Sequence, residues 1–265
     1  MKSIARTSRT SIAIGSAIVP AWTMFLTMLT ITAVPFCAPH RAGDDTGVHY
    51  VWRDRGLVLR DAPGTGGKPL AKVAYADTVR THSHDSVGRP VRLDGIKGRY
   101  LNVEVNGRSG FLFDAFLGRI APPVTCESFA NYLNEIDRTV ELVERRTSTG
   151  TTLYANGITV IDEESPRHAS ITIVIDDFPL HLGFRLAQIC NPHFFAGRVF
   201  PRESSRRSRA GDFVSSVDHA RFHASGRAVQ FENRTETTEH IEKTTVQPMP
   251  AGGVRIKYYY SALDT

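Results

Sequence analysis

The sequence has little cysteine, tryptophan and methionine, and it lacks the motifs that define common catalytic and metal sites. It contains three cysteines, two tryptophans and four methionines. No CxxC pair occurs. His219 and His223 are four residues apart, but they fall in a segment that alternates like a strand, where this spacing does not place two metal ligands on one helix face. The acidic groups Asp162-Glu163-Glu164 and Asp176-Asp177 end or follow predicted strands, where solvated turns are common. The sequence therefore predicts no catalytic residue, no metal site and no cofactor, and we expect a protein that is not an enzyme.

An excess of charge is also missing outside the first 42 residues. The chain carries 32 basic and 27 acidic residues, a net charge of +5. Lys2, Arg6, Arg9 and Arg41 lie in residues 1–42, which contain no acid, so the remainder has 28 basic against 27 acidic residues. With 41 % hydrophobic residues and no low-complexity tract, the composition is that of a folded protein. We expect a partner other than nucleic acid.

Residues 1–42 have the layout of a bacterial export signal. A basic stretch is followed by an apolar run from Ile12 to about Ala38. No clear cleavage site follows, because Phe36 occupies a position that needs a small side chain. The run is long enough to cross a bilayer core of about 30 Å, so a cleaved signal peptide and an uncleaved inner-membrane anchor both stay open. In either case we expect the rest of the chain to be periplasmic or secreted, and to touch a membrane only through this segment.

The cysteine count fits an oxidising compartment. Cys37 lies in the export segment, which leaves the even number formed by Cys126 and Cys190. We predict a disulfide between these two. The alternatives are two buried free thiols, or a metal site that uses Cys190 and His193, for which a single pair at this spacing is weak evidence.

The chain divides at a proline-containing segment into two predicted domains. Residues 121–124, which begin Ala121-Pro122-Pro123, form the linker between a domain at 47–120 and a domain at 125–265. In the first domain, short apolar segments alternate with glycine and proline, which predicts a small barrel or sandwich of short strands. Asn106-Gly107 between two of these segments predicts a tight hairpin turn.

The first domain resembles the bacterial SH3-like domains. Gly56 to Pro63 is similar to that family's opening strand, in which G-L-x-V-R leads into a loop with proline. The segment from Leu70 to Val79 is similar to the following hairpin, and Tyr100 to Leu112 to the paired strands that end in Gly-Trp-Val. Phe116-Leu117 resembles the final Tyr-Leu. The resemblance covers about a quarter of the chain and implies a small β-barrel that binds a peptide or a cell-wall stem.

This sequence departs from the family pattern by having Tyr100 and Phe111 where tryptophan is common. The bulk of the rings is retained, so the barrel core is still expected. Domains of this type leave some aromatic rings along a shallow groove, where a rigid ring costs little conformational entropy to present. We expect at least two of five rings to share an exposed patch that binds the ligand: Trp52, Tyr75, Tyr100, Phe113 and Phe116.

The second domain reads as α+β with a mostly antiparallel sheet. Thr125 is the expected cap of a helix whose apolar residues include Phe129 and Ile136. β-Branched strand segments follow, then a second helix that starts after Pro179, and then further strands. The basic run from Arg202 to Arg209 predicts an exposed flexible loop, with contact to an anionic envelope polymer or lipid head group as the functional alternative.

Two functions from different classes remain. The fold expected is multi-domain: an export signal, an SH3-like barrel and an α+β domain. The first hypothesis is a non-catalytic envelope protein that binds a peptide, a protein or a cell-wall component. The alternative is an exported cell-wall hydrolase that its SH3-like domain targets to the wall. The hydrolase would need a pocket that joins several acids or histidines, which the sequence does not indicate.

Overall fold

The computed structural model describes residues 47–82, 86–211 and 214–263. The predicted export signal at residues 1–42 lies outside them. The described part is mostly β-structure, with two antiparallel sheets and two α-helices. Neither described helix is long and apolar enough to cross a bilayer.

The first sheet contains eight strands and has the hydrogen-bonded order β3-β2-β7-β6-β4-β1-β8, with β5 paired to β6. All its pairs are antiparallel, and within the described residues the path is open between β3 and β8. A short 3-10 turn, Asp114–Phe116, precedes the last strand. The strands are β1 (Val48–Val51), β2 (Leu57–Arg60), β3 (Pro69–Val73), β4 (Thr78–Thr81), β5 (Val87–Leu93), β6 (Ile96–Val105), β7 (Arg108–Phe113) and β8 (Leu117–Gly118).

Alternation along these strands produces the core of the first sheet, because successive side chains point to opposite faces. In β2, Leu57 and Leu59 are buried and Val58 between them is exposed. The predicted hairpin turn at Asn106-Gly107 joins β6 to β7, and both of its residues have positive φ, at 50° and 74°. The core is formed mainly by aliphatic residues: Val51, Leu57, Leu59, Val73, Val79, Leu101, Val103, Val105, Leu112 and Leu117.

The second sheet contains nine antiparallel strands in the order β13-β14-β15-β16-β17-β12-β11-β10-β9. Its last strand in the chain, β17, therefore lies in the middle of the sheet. The elements are α1 (Phe129–Thr139), β9 (Leu142–Arg146), a 3-10 turn (Thr147–Thr149), β10 (Thr151–Tyr154), β11 (Ile158–Glu164), β12 (His168–Ile175), α2 (Leu180–Cys190), β13 (Ser205–Ala210), β14 (Val214–Phe222), β15 (Ala228–Thr237), β16 (His240–Pro248) and β17 (Val254–Ala262).

Both helices pack on one face of the second sheet. The register places Ile158 opposite Ile175 and Ile175 opposite Val254, which makes an apolar row across three strands. Helix α2 approaches this row closely at Gly183, where a Cβ atom would lie 2.7 Å from Cγ2 of Val254. Glycine at this helix position therefore permits the close packing of α2 on the sheet.

The predicted disulfide is confirmed. Cys126 precedes α1, Cys190 ends α2, and their Cα atoms lie 4.9 Å apart. The bridge closes a loop across a sequence separation of 64 residues and ties the two helices together.

Two expectations for the second sheet are wrong. Helix α1 is capped by Ser128 rather than Thr125: the Ser128 hydroxyl accepts from the Asn131 N–H at 3.2 Å. Most of the basic run is strand β13 at the edge of the sheet and not a flexible loop. No residue of β13 is fully buried on either face of the sheet, so its Ser/Arg sequence carries no apolar alternation that would indicate a strand.

Candidate functional site

Helix α2 lies at the junction of the two sheets and contacts both. Its apolar face lies on the second sheet, and the stripe formed by His181, Arg185 and Gln188 lies at another side of the helix, because positions i, i+4 and i+7 share a face. The His181 Nε2–H donates to the carbonyl of Ala115, and the Arg185 guanidinium forms an ion pair with Asp54. Helix α2 therefore contacts the first sheet at two places, near the end of β1 through Asp54 and before β8 through Ala115.

Trp52 is the largest anchor at this junction. It follows strand β1, yet only 1 % of its surface is exposed and it packs in the core of the second sheet. Its indole N–H donates to the carbonyl of Ile120 at 2.9 Å, and its ring meets Phe178 edge-on at 5.3 Å. Gly118 makes room for it, since a Cβ atom there would lie 2.5 Å from Trp52 Nε1. The two sheets therefore share one packed interface.

A cleft of about 240 Å³ opens beside this interface. We call it the seam cleft. Aromatic rings wall it: the ring centres of Phe116 and Phe200 lie 5.8 Å and 6.1 Å from that of His181, and both rings meet the imidazole edge-on. Trp52 and Phe184 complete the apolar surface. Rings held by packing on both sides provide a rigid, low-entropy surface for a ligand.

Charged groups of both signs stand around the seam cleft. Arg53 Nε lies 2.8 Å from Asp94 Oδ2, and the Arg185–Asp54 pair stands farther along the rim. The Arg198 guanidinium lies 5.7 Å from the centre of the Phe195 ring. Three cations against two carboxylates give the lining a small positive excess, with both signs available to a ligand.

A second hollow of about 250 Å³ continues past the Arg185–Asp54 pair, which lines both spaces. The half-buried Tyr75 lies here, and its hydroxyl donates to the carbonyl of Pro123 at 2.9 Å. Val124 lies beside it with 74 % of its surface exposed. The seam cleft and this hollow form one interrupted groove along α2.

Burial changes the titration of two groups in this groove. Burial lowers the pKa of His181 below its ordinary value, although the Ala115 carbonyl and the Asp114 carboxylate oppose this change. The imidazole therefore favours its neutral form with the proton on Nε2. Burial also raises the pKa of Tyr75 to about 12, so its phenol stays a neutral hydrogen-bond donor at physiological pH.

The five rings singled out in the sequence do not share an exposed patch. Tyr100 and Phe113 are buried in the first sheet's core, where their ring centres lie 6.0 Å apart, and Trp52 is buried at the interface. Phe116 and Tyr75 are half-buried. The expectation of exposure is wrong because Tyr100 and Phe113 point inward from strands of the first sheet, while Trp52 packs into the core of the second. Three of the five still border the groove: Trp52 and Phe116 at the seam cleft, and Tyr75 at the adjoining hollow.

Several groove residues were missed in the sequence. His181 and Arg185 lie between apolar residues of α2. Together with Gln188 they form a polar stripe on an otherwise apolar helix, and this stripe was the sequence signal that could have indicated them. Phe200 follows an irregular segment without periodicity, so no sequence signal places it beside Phe116 and His181.

A separate polar hollow of about 420 Å³ lies between α1 and strands β9 to β11. Asp137 Oδ1 accepts from the Tyr154 hydroxyl at 2.8 Å and from Arg145 Nη2 at 2.9 Å. Asp162 lines the same hollow. Partial burial raises the pKa of Asp162 above its ordinary value, while Arg145 acts in the opposite direction. In the described residues no group of three or more histidines, cysteines and acids could hold a metal ion.

Neither the protein-family models nor the curated proteins contain a match to this sequence.

Proposed function

We propose that this chain is an exported cell-envelope protein whose seam cleft binds a short peptide, such as a cell-wall stem peptide, without catalysing its breakdown. Export is supported by the basic and apolar layout of residues 1–42. A binding module is supported by the resemblance of residues 47–120 to bacterial SH3-like domains and by the strand-rich first sheet. In this proposal residues 47–120 are the SH3-like domain, 121–124 the linker and 125–265 the α+β domain.

The observation that carries the proposal is the combination of rings and opposite charges at the seam cleft. A volume of about 240 Å³ admits one side chain or a few backbone atoms. The walls offer apolar contact at Phe116 and Phe200, while Arg53, Arg185 and Asp54 offer partners to a carboxylate and an ammonium group. A short peptide has all three chemistries, since it combines apolar side chains with charges of both signs.

The Arg185–Asp54 pair is expected to be the main polar contact. It lines both the seam cleft and the hollow with Tyr75, so an extended ligand would pass over it. Its side chains are 35 % and 58 % exposed, which leaves them accessible to a ligand. Loss of one charged hydrogen bond weakens binding by roughly 1.5–3 kcal/mol, about tenfold or more.

The test uses Trp52 as the reporter. Trp22 is the other tryptophan of the chain, so the full chain carrying Trp22→Phe has one indole, at the seam cleft. Soluble stem peptides are titrated against its fluorescence, and sedimentation with purified cell wall gives a second readout. We expect saturable binding that Arg185→Gln weakens at least about tenfold. Arg234→Gln is the matched control, because Arg234 also forms an exposed ion pair but lies on β15. Equal binding by the Arg185→Gln variant, or no saturable binding, contradicts the proposal.

A hydrolase is the second candidate, and the polar hollow at α1 is what favours it. This hollow joins two carboxylates, Asp137 and Asp162, and the raised pKa of Asp162 suits a proton donor. Release of soluble fragments from purified cell wall by the full chain, lost in both Asp137→Asn and Asp162→Asn, would support this function. Absence of release by the unaltered chain would remove it.

A further inference from the structure

Strand β13 is an edge of the second sheet with a regular, unshielded ladder. Its six residues pair with β14 from Ser205 opposite Ala220 to Ala210 opposite Ser215, without a bulge. No strand among the described residues pairs with its other side. Natural edge strands are protected by bulges, proline or charged side chains; β13 has no bulge and no proline, so its protection is the positive charge of its arginines, which would still admit an acidic strand.

The hairpin bond after β13 shows which of its backbone groups point outward. Gly211 N–H donates to the Val214 carbonyl at 2.8 Å, and this pair continues the register of the ladder. In an antiparallel pair, directly bonded positions alternate with positions that turn away. Arg209, Arg207 and Ser205 therefore bond to β14, while the N–H and C=O groups of Arg206, Ser208 and Ala210 face the free side.

The edge carries positive charge on both faces of the sheet. Arg206 and Arg207 are exposed, lie on opposite faces, and form no ion pair with another described residue. Arg209 is held in place instead: its Nη2 donates to the His193 carbonyl at 2.7 Å and lies 3.1 Å from Oδ2 of the fully buried Asp218. One arginine thus fixes the strand, and the other two are available to a partner.

A hollow of about 620 Å³ lies at the Ser205 end of the strand. Val199 and Phe200 line it, and 82 % of the Val199 surface is exposed. Ser205 Oγ is buried at this end without a hydrogen-bond partner among the described residues. An apolar side chain at the end of a bound strand would cover Val199 there. Glu203 is the one acid that lines this hollow.

We propose that the free edge of β13 binds an extended acidic peptide as an added antiparallel strand. Backbone bonds to Arg206, Ser208 and Ala210 supply the affinity, as in other cases of strand addition. Two neighbouring acidic residues of the peptide meet Arg207 and Arg206 on opposite faces. Because an antiparallel peptide runs from Ala210 toward Ser205, an apolar residue at its C-terminal end reaches the hollow at Val199. This surface is distinct from the peptide site proposed at the seam cleft.

The test measures binding of a fluorescent peptide, acetyl-Thr-Val-Thr-Glu-Glu-Thr-Leu-amide, to the full chain by polarisation. The same peptide with lysine in place of both glutamates is the charge control. Ser208→Pro removes an outward N–H but no bond to β14, so the ladder is retained, and Ser208→Ala is its matched control. We expect Ser208→Pro to weaken binding at least about tenfold and Ser208→Ala to leave it unchanged.

Thermal melting shows whether Ser208→Pro disturbs folding. If it does, a second pair of variants, which reverse a charge, tests the same surface. Arg206→Glu is expected to weaken binding at least about tenfold, with a loss that decreases at high salt. Arg255→Glu is the control, since Arg255 is exposed on β17, four strands away from β13 in the sheet. Equal binding of the lysine peptide, or unchanged binding in both Ser208→Pro and Arg206→Glu, overturns the proposal. A dimer that Ser208→Pro dissociates would overturn it as well, because a second copy would then occupy the edge.

Discussion

The two sheets differ in what fills their cores. The first is packed mainly with leucine and valine from its own short strands. The second centres on phenylalanines whose ring centres lie 4.9–6.1 Å apart: Phe184, Phe194, Phe195, Phe200, Phe222 and Phe231. These rings come from α2, the irregular segment after it, and strands β14 and β15. The aliphatic core of the first sheet follows from alternation within its strands. The phenylalanine core of the second sheet forms only when α2, the segment after it and strands β14 and β15 come together.

Trp52 shows that the two cores are not independent. It belongs to the chain segment of the first sheet but packs with the core of the second. Phe116 touches both cores. The first sheet therefore contributes its largest ring to the stability of its neighbour, and variants at the junction should affect both.

Removal of the disulfide should give the largest difference in stability loss between the two sheets. Cys126→Ser combined with Cys190→Ser frees a loop of about 65 residues, which on the chain-entropy model costs the second sheet about 4 kcal/mol. We expect urea unfolding to show the loss in a probe of the second sheet, with a smaller change in hydrogen exchange of β6 and β7. Cys37→Ser is the control, as Cys37 is outside the bridge. An equal loss of protection in both sheets would mean that they unfold as one unit.

Trp52→Phe should give the next largest effect. It keeps a ring at the interface but removes the indole N–H, which leaves the Ile120 carbonyl without its donor in a buried position. Such a group costs about 1–3 kcal/mol. Because the bond lies at the junction, chemical denaturation should show destabilisation of both sheets. Tyr50→Phe on the neighbouring strand β1 is the control and should change the free energy of unfolding little.

Acidification should give the smallest effect. Since the folded pKa of His181 lies below its ordinary value of about 6.5, the unfolded chain binds the proton more readily. The contribution of neutral His181 to stability is complete above that ordinary value and decreases as the pH falls through it. Melting temperatures at about pH 7.5 and pH 5.5 should therefore differ more for the unaltered chain than for His181→Gln, which retains an N–H donor for Ala115. An equal difference would show that other groups cause it.

Local patterns predicted much of the architecture. The Asn106-Gly107 hairpin, the helix after Pro179 and the disulfide partners depend on neighbouring residues or on a count of two cysteines, so sequence was sufficient for them. The cap at Ser128 was missed because Thr125, three positions earlier, is also a favoured type of capping residue. Strand β13 was missed because arginine and serine do not alternate in polarity.

The seam cleft could not be predicted for a different reason. It forms where Phe116, His181 and Phe200 meet, and these residues come from the end of the first sheet, the start of α2 and the segment after it. Rings were expected on an outer groove of the first sheet because its strands were considered without a neighbour. Packing against α2 buried Trp52 and left the cleft between the sheets.

The central position of β17 has a consequence for how the chain folds. Strands β9 to β12 form successive antiparallel neighbours, as do β13 to β16, so each group can assemble from local contacts. Only β17, which follows all of them in the chain, joins β12 to β16. Until β17 pairs, both of those strands keep an open edge. The β16–β17 pairing is a local hairpin in which Pro248 lies opposite Val254, whereas the β12–β17 pairing joins Ile175 to Val254 across a large sequence separation and forms more slowly. The β12–β17 pairing therefore decides when the nine strands become one sheet, and a chain truncated before β17 would leave β9 to β12 and β13 to β16 as two unjoined groups.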